Sequence, residues 1–353
     1  MLKFFMVIIG SYLSMLSGVL SAQHVVLRDL TFIEAAKVES MDVNGLVLDG
    51  GLQFLWSDIL QGKVGQQQNK FDGFLKEIGL PLFRIQSRLA GGSFDDLQPM
   101  ANQLLKISAD TVGPTAYIAN AASFHDFLSQ GMREAAAVPL INILAMRTAD
   151  PDLKSLDREL GLRFKEDVCL NLLPIWFDDV AAKLAWQNLQ SATGLNTANL
   201  KQENPYLLSL QILSEPQTTD LTSKVKKETG WGPILVAQSA LLNSNPGSAL
   251  ESLQNSSLNL DAARRALALY YRGLAMRDLN KKSPGDATAP WKLILLQIPA
   301  QYENQFPELS AAAIYQVLAG SRDMPEEFES LQQELTNRFP TTWHGRHYQS
   351  SRK

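Results

Sequence analysis

Two histidines near the C-terminal end of the chain have a spacing that suits metal binding. His344 and His347 are three residues apart, so on a helix both imidazoles would lie on one face, where they could bind a divalent transition metal. The sequence offers no evident third ligand. A capping turn exposed to solvent is therefore the favoured interpretation, and we expect no metal and no cofactor. The other two histidines, His24 and His125, are isolated in the sequence.

Two adjacent aspartates, Asp178 and Asp179, follow the aromatic pair Trp176-Phe177. Adjacent side chains on a helix point about 100° apart, so the two carboxylates cannot act together on one substrate. Negative side chains in the first turn of a helix interact favourably with its dipole. We therefore predict that the aspartates stabilise the start of a helix and have no catalytic role.

Two glutamate–serine pairs, Glu251-Ser252 and Glu329-Ser330, are similar to the catalytic glutamate and following serine of lytic enzymes that cleave peptidoglycan. Both pairs fall inside ordinary amphipathic helices and lack the residues that surround the pair in that family. The sequence contains no nucleophile elbow, phosphate-binding loop, zinc-protease motif or EF-hand series. We therefore assign no catalytic, cofactor-binding or metal-binding residue.

The chain has a single cysteine, Cys169. This excludes an intramolecular disulfide and a zinc site built on several thiolates. The neighbours Val168 and Leu170 are apolar, so the thiol is predicted to be a small buried hydrophobic group. The spacing of the tryptophans also suits core packing, although some of them could line a groove. These are Trp56, Trp176, Trp186, Trp231 and Trp291.

The composition is that of a globular protein, with 45% hydrophobic and 19% charged residues. A net charge of −4 argues against a nucleic-acid partner, which requires a basic surface, and gives no reason to expect binding to an anionic membrane. Lys224, Lys226 and Lys227 form the one tight basic cluster in the sequence. A solvated loop is favoured there over a site for an acidic partner.

Residues 1–22 are predicted to be an export signal. Lys3 supplies the positive charge, the run from Phe4 to Leu20 is uncharged, and Ser21 and Ala22 offer a cleavage point. The alternative is a retained membrane anchor, although seventeen helical residues span only about 26 Å of a ~30 Å hydrocarbon core. We expect a periplasmic or extracellular protein, which contacts the membrane only if this segment is uncleaved.

Residues 23–68 are predicted to form a small β-meander. Asn44-Gly45 and Asp49 to Gly51 supply two turns between short apolar runs. A three-stranded meander is not stable alone. It must therefore pack on the segment that follows, and Phe54 and Trp56 are the expected contacts.

The chain beyond the meander is predicted to change from strands to helices. Ser57 would cap a short helical turn, and Gly65 to Asn69 would form a polar hinge. Helical periodicity begins at Phe71. Residues 69–147 then contain two helical hairpins, whose turns lie about 40 residues apart in the sequence.

Residues 148–232 interrupt this rhythm and are predicted to be an irregular helical joint or an insertion. Within them, Leu173 to Phe177 would open a helix that runs to about Leu189, with Pro174 in its first turn. A short apolar helix from Pro205 to Leu213 follows.

Residues 233–353 return to helical hairpins, whose turns lie about 37 residues apart. The turns are Asn245 to Gly247, Ser283 to Gly285 and Gly320 to Asp323. A fixed period between 20 and 50 residues, with one helix pair in each unit, is typical of a helical solenoid.

One stretch of this region resembles the first helix of a tetratricopeptide-type repeat (TPR), a family that places small residues where helices approach closely. It contains Ala266, Tyr270, Gly273, Leu274 and Ala275. The stretch from Leu335 to Pro340 resembles the end of that repeat, where an aromatic residue and a proline close the second helix. The likeness covers about 71–146 and 232–345, and it implies a right-handed superhelix with a concave surface for a partner.

The sequence thus predicts a mainly α protein, a TPR-like solenoid of helical hairpins with a small N-terminal β-meander. The expected function is that of an exported, non-enzymatic scaffold that binds a protein or peptide on its concave surface. The alternative is a cell-envelope hydrolase that acts on peptidoglycan or another polysaccharide. Such an enzyme would need a carboxyl group with a raised pKa in a deep cleft.

Overall fold

The computed structural model of this protein describes residues 23–34, 37–109, 111–165, 168–191, 204–215, 230–254, 260–280, 290–320 and 328–351. Within these ranges the chain is mainly α-helical, and its strands form small antiparallel sheets, most of them near the N-terminal end. The coarse fold class predicted from the sequence is therefore confirmed. The export segment, the cluster at Lys224 to Lys227 and the turn at Ser283 to Gly285 lie outside the described residues.

The secondary structure elements are numbered in chain order. The strands are β1 (His24–Leu27), β2 (Phe32–Glu34), β3 (Val38–Met41), β4 (Leu46–Leu48), β5 (Leu52–Phe54), β6 (Ile59–Lys63), β7 (Phe164–Lys165) and β8 (Val168–Cys169). The helices are α1 (Gln68–Phe74), α2 (Leu80–Ala90), α3 (Gln98–Ile107), α4 (Pro114–Ser129), α5 (Arg133–Ala149), α6 (Asp179–Ser191), α7 (Pro205–Ser214), α8 (Gly232–Leu242), α9 (Pro246–Gln254), α10 (Ala262–Leu279), α11 (Pro290–Tyr302), α12 (Pro307–Ala319), α13 (Glu329–Arg338) and α14 (Trp343–Ser350).

The predicted meander is formed by β3, β4 and β5, which pair in that order. Asp42 closes the first turn, because its Oδ1 accepts hydrogen bonds from the backbone N–H groups of Asn44 (2.8 Å) and Gly45 (3.3 Å). In the second turn Gly50 and Gly51 have φ angles of 83° and 77°, which glycine adopts without steric cost. Local turn chemistry therefore determines this sheet.

A second sheet, with strand order β2-β1-β6, was not predicted. The expected helical turn is a single 3-10 turn at Trp56–Asp58, and β6 follows it directly. The prediction that Ser57 caps this turn is wrong, because Ser57 lies inside the turn and no side chain caps it. This strand pairs with β1, in a register that places Gln61 opposite Val26. Its partner strand β1 is distant in sequence, so no local pattern predicts β6.

Trp56 anchors these sheets on the first helices, as the sequence predicts. Its side chain is fully buried, and its Nε1 donates a hydrogen bond to the carbonyl oxygen of Asp42 (2.7 Å). The ring centroid lies 5.6 Å from that of Phe71 and 5.2 Å from that of Phe74. Aromatic pairs at such distances contribute about 0.5–1.5 kcal/mol beyond the burial of their area. Phe54 is only half-buried.

The polar stretch expected to be a hinge is instead the start of a helix. A 3-10 turn at Gly65–Gln67 leads directly into α1. Gln68 accounts for this difference, because its Oε1 accepts a hydrogen bond from the backbone N–H of Val64 (2.8 Å) and its Nε2 donates one to the carbonyl oxygen of Gly62 (3.0 Å). The glutamine side chain thus satisfies backbone groups next to the helix end.

The chain divides into two compact units. The first comprises Met1–Asp126 and Asp150–Gly161, and the second comprises Phe127–Ala149 and Leu162–Lys353. No helix within the described ranges combines the length and the apolar character needed to cross a bilayer.

In the second unit, each helix from α5 to α14 packs against the next one along the chain. The alternate pairs α8 with α10 and α10 with α12 also pack together. This arrangement of adjacent helices is compatible with a helical-repeat fold.

Small residues occur in α10 where neighbouring helices are near. A Cβ atom added to Gly273 would lie 2.6 Å from both Cγ and Cδ2 of Leu295 in α11. Ala266 and Ala275 are fully buried. These residues let α10 lie closely against its neighbours.

Candidate functional site

The 173–178 segment, which precedes α6, is irregular. The sequence predicts that a helix starts at Leu173, and this is wrong, because α6 begins at Asp179. Asp178 caps it, with Oδ1 accepting hydrogen bonds from the backbone N–H groups two and three residues further on, each at 3.0 Å. The two aspartates therefore occupy the start of a helix. The residues before them are not helical, and some of them line a cavity.

Buried polar groups from distant helices hold this segment in place. Glu134 of α5 accepts hydrogen bonds from the backbone N–H groups of Phe177 (2.9 Å) and Asp178 (3.2 Å). The Ser209 hydroxyl of α7 donates to the carbonyl oxygen of Pro174 at 3.1 Å. These contacts satisfy backbone groups that must find partners when buried, so the segment needs no helix of its own.

Tyr206 of α7 fixes the chain just before this segment. Its hydroxyl accepts a hydrogen bond from the backbone N–H of Cys169 (2.9 Å) and donates to the carbonyl oxygen of Leu172 (2.7 Å). Burial raises the pKa of this phenol well above its usual value, so it remains a neutral donor. Asn204 caps α7, with Oδ1 accepting from the backbone N–H of Tyr206 at 3.0 Å.

An open cavity of about 260 Å³ lies in the second unit, between the 173–178 segment and helices α6, α7, α8 and α10. Its apolar and aromatic lining residues are Ile175, Trp176, Phe177, Leu213, Leu241, Leu242, Tyr270, Tyr271 and Leu274. Its polar lining residues are Asp179, Gln238, Arg277 and Asp278. The lining positions of α10 recur at intervals of three and four, so they form one face of that helix.

The charged groups of the cavity are unequally paired. The guanidinium group of Arg277 forms an ion pair with Asp278 (3.1 Å) and donates a hydrogen bond to Gln316 of α12. Asp179 takes part in none of the ion pairs formed by the described residues. The lining therefore carries one carboxylate in excess of its cations.

Two donors of cavity-lining residues lack an acceptor among the described residues. Trp176 is 6% exposed, and its Nε1 is buried without a hydrogen-bond partner. The hydroxyl of Tyr271 has no acceptor within the described ranges. The Gln238 amide lies 3.1 Å from the Ser209 hydroxyl and is paired with it. A buried donor without a partner costs about 1–3 kcal/mol.

The two tyrosines of the cavity are neutral groups. Burial raises the pKa of Tyr270 to about 12 and also raises the pKa of Tyr271. Their rings meet edge to face, with centroids 5.7 Å apart. At neutral pH both phenols can therefore donate hydrogen bonds, and neither is suited to act as a base.

His344 and His347 lie on the same helix, α14, in different surroundings. His344 is 3% exposed and packs edge-on against Phe177, with ring centroids 4.4 Å apart. His347 is exposed and stacks on Trp343 at 4.8 Å. Burial lowers the pKa of His344 to about 3, and the charge of Arg133 adds to this effect. His344 is therefore a neutral packing residue that joins α14 to the 173–178 segment.

The remaining candidates from the sequence lie elsewhere. Cys169 is buried, and burial raises the pKa of its thiol to about 11. Glu251 and Glu329 are exposed on α9 and α13 and do not line the cavity. His125 is buried, with its Nε2 at 2.8 Å from the carbonyl oxygen of Leu160. In the part of the chain that the structure describes, no group of three or more His, Cys, Asp or Glu side chains is placed to hold a metal ion.

The sequence indicated only part of this site. Trp176 was considered as a core or groove residue and Asp179 as a residue at the start of a helix. The TPR resemblance included Tyr270 and Leu274. It gave no reason to select Gln238, whose role depends on a neighbouring helix. The signal that was available is the spacing of Tyr270, Leu274 and the residues that follow on one helical face.

Comparison of the chain with protein-family models, with curated protein sequences and with solved structures yields no significant match.

Proposed function

We propose that this protein is an exported, non-enzymatic binding protein that engages a segment of a protein partner in the cavity of its second unit. The observation that carries this proposal is the cavity itself, where aromatic and aliphatic side chains remain accessible beside polar groups that lack partners. Binding sites are typically concave, mainly apolar and equipped with a few placed polar groups.

The arrangement of helices supports a TPR-like solenoid as the scaffold. The pairs α8–α9, α10–α11 and α12–α13 each consist of consecutive helices that pack together, and α10 also packs against α8 and α12. The cavity is lined by two of these first helices, α8 and α10. In stacked hairpin repeats such a surface is an extended binding surface.

The size of the cavity favours a side chain over a free cofactor. Pockets for drug-sized ligands enclose about 300–1,000 Å³, whereas this one measures about 260 Å³ and is open to solvent. It is suited to one large apolar side chain that projects from a longer chain. A protein or peptide partner supplies such an anchor.

Site-specific photo-crosslinking in the native envelope tests this function. A photoreactive amino acid at Leu242, which lines the cavity and is 44% exposed, should capture a discrete protein partner. The matched control is Leu279, which is 50% exposed on α10 and lies outside the cavity lining. The two sites offer similar exposure, so a difference between them reports the cavity.

The crosslink from Leu242 should also disappear when the cavity is filled by Leu274→Trp. Leu274 is half-buried at the cavity, so the larger side chain can enter open space. Equal crosslinking at Leu242 and Leu279, or a crosslink that survives Leu274→Trp, would overturn the proposed function. Circular dichroism of each variant checks that the helices are retained.

A further inference from the structure

We infer that the occupant of the cavity is an extended stretch of a partner polypeptide, with one large apolar side chain as its anchor and a lysine or arginine close to that anchor in sequence. This inference rests on the proposed binding function and specifies the chemistry of the partner. It is carried by three features of the cavity: its volume, the unpaired hydroxyl of Tyr271 and the excess carboxylate of its lining.

The apolar part of the lining defines the anchor. Leu241, Leu242 and Leu274 face the cavity from α8 and α10, and Trp176 and Tyr271 add two aromatic side chains. An apolar side chain that enters removes its own surface and part of this lining from water, which favours binding. A volume of about 260 Å³ accommodates a leucine, methionine or phenylalanine side chain together with part of the backbone that carries it.

An unpaired donor defines what surrounds the anchor. The Tyr271 hydroxyl belongs to a cavity-lining residue and has no acceptor within the described ranges. A partner that supplies hydrogen-bond acceptors therefore gains more than a purely apolar one. Backbone carbonyl oxygens are available when the partner is extended, because they are then not used in its own secondary structure.

The charge of the lining defines the residue beside the anchor. Arg277 is neutralised by Asp278 at 3.1 Å, so it offers little attraction to an acidic partner. Asp179 is exposed and forms no ion pair with the described residues. A basic side chain next to the anchor complements this carboxylate, whereas an acidic one is repelled.

Selection from a phage-displayed library of random dodecapeptides tests the inference. The full chain is the bait, and the Leu274→Trp variant is used for counter-selection. We expect enriched peptides to share one large apolar residue with a lysine or arginine within about three positions. Exchange of that basic residue for glutamate should weaken binding by roughly two- to fivefold, as measured by fluorescence polarisation.

Two pairs of variants connect this preference to the structure. Asp179→Asn should abolish the difference between the basic and the acidic peptide, whereas Glu251→Gln, which removes an exposed carboxylate outside the cavity, should retain it. Tyr271→Phe should weaken the selected peptide by roughly two- to tenfold through the loss of one hydrogen bond. Tyr302→Phe, a buried tyrosine outside the cavity lining, should leave binding unchanged.

The outcomes separate the inference from the function on which it rests. If no peptide is enriched over the Leu274→Trp variant, the proposed binding function itself is overturned. If apolar anchors are enriched with acidic or neutral neighbours, or if Asp179→Asn leaves the charge preference intact, the inference is overturned and the binding function stands. If Tyr271→Phe binds as tightly as the wild type, the assignment of backbone acceptors to this donor is wrong.

Discussion

The substitution Gly273→Ala tests whether close packing of α10 on α11 stabilises the second unit. A Cβ atom at this position would lie 2.6 Å from Cγ and Cδ2 of Leu295. Leu295 is fully buried, and one of the two contacts is with its branch carbon. The side chain therefore cannot avoid the new methyl group by turning its end away, and either Leu295 or the helix must shift.

Two opposing effects determine the size of the change. Alanine is favoured over glycine inside a helix by about 0.8–1 kcal/mol. Overpacking a core by one methyl group costs about 1–3 kcal/mol, and the double contact with Leu295 places this case in the upper half of that range. We therefore expect Gly273→Ala to lower the free energy of unfolding by about 1–2 kcal/mol.

The sign should reverse when the clash is removed. Leu295→Ala alone should cost about 2–5 kcal/mol, because it opens a cavity in the core. In that background Gly273→Ala should stabilise the protein by about 1 kcal/mol, since only the gain in helix propensity remains. Gly73→Ala in α1 is the matched control, because no atom lies within 4 Å of its added Cβ, and it should be stabilising.

Urea-induced unfolding, followed by circular dichroism at 222 nm, measures these changes in all four variants. The difference between the effect of Gly273→Ala with and without Leu295 is the coupling energy of the pair. If Gly273→Ala is as stable as the wild type while Leu295 is intact, or if its effect has the same sign in both backgrounds, the packing argument is refuted.

Three further predictions follow from buried groups. Because burial and the charge of Arg133 lower the pKa of His344 from 6.5 to about 3, the folded protein keeps this imidazole neutral while the unfolded chain binds a proton below about pH 6.5. The stability should therefore fall as the pH falls from about 6.5 towards 3, with about 2 kcal/mol lost at pH 5 from this residue, and urea midpoints of His344→Phe should lack that part of the slope. Cys169 is buried with a thiol pKa of about 11, so a disulfide reagent at pH 8 should label it only after unfolding, and rapid labelling of the native protein would contradict its placement. Trp56→Phe should lower the free energy of unfolding of the first unit by about 1–3 kcal/mol, because the carbonyl oxygen of Asp42 loses its donor; an unchanged midpoint in urea would contradict this.

Whether an element could be predicted from the sequence depends on how far apart in the chain its interacting residues lie. The meander follows from its turns, because Gly50 and Gly51 adopt positive φ by a local preference. The start of α1 shows the limit of such reasoning, since Gln68, one of the glutamines that suggested a hinge, satisfies backbone groups next to the start of the helix. The composition of residues 65–69 showed only that the segment is polar. The hydrogen bonds of the Gln68 side chain show why it begins a helix.

The sequence by itself determined the mainly helical class, the meander of β3, β4 and β5, and the burial of Trp56, because these depend on periodicity and turn chemistry within a few residues. Only the tertiary structure decided the cavity. The 173–178 segment remains outside a helix because Glu134 in α5 accepts its backbone hydrogen bonds, and Gln238 is oriented by a serine of another helix. Contacts between residues so far apart in sequence leave no local pattern. The cavity therefore could not be predicted without knowing how the helices pack.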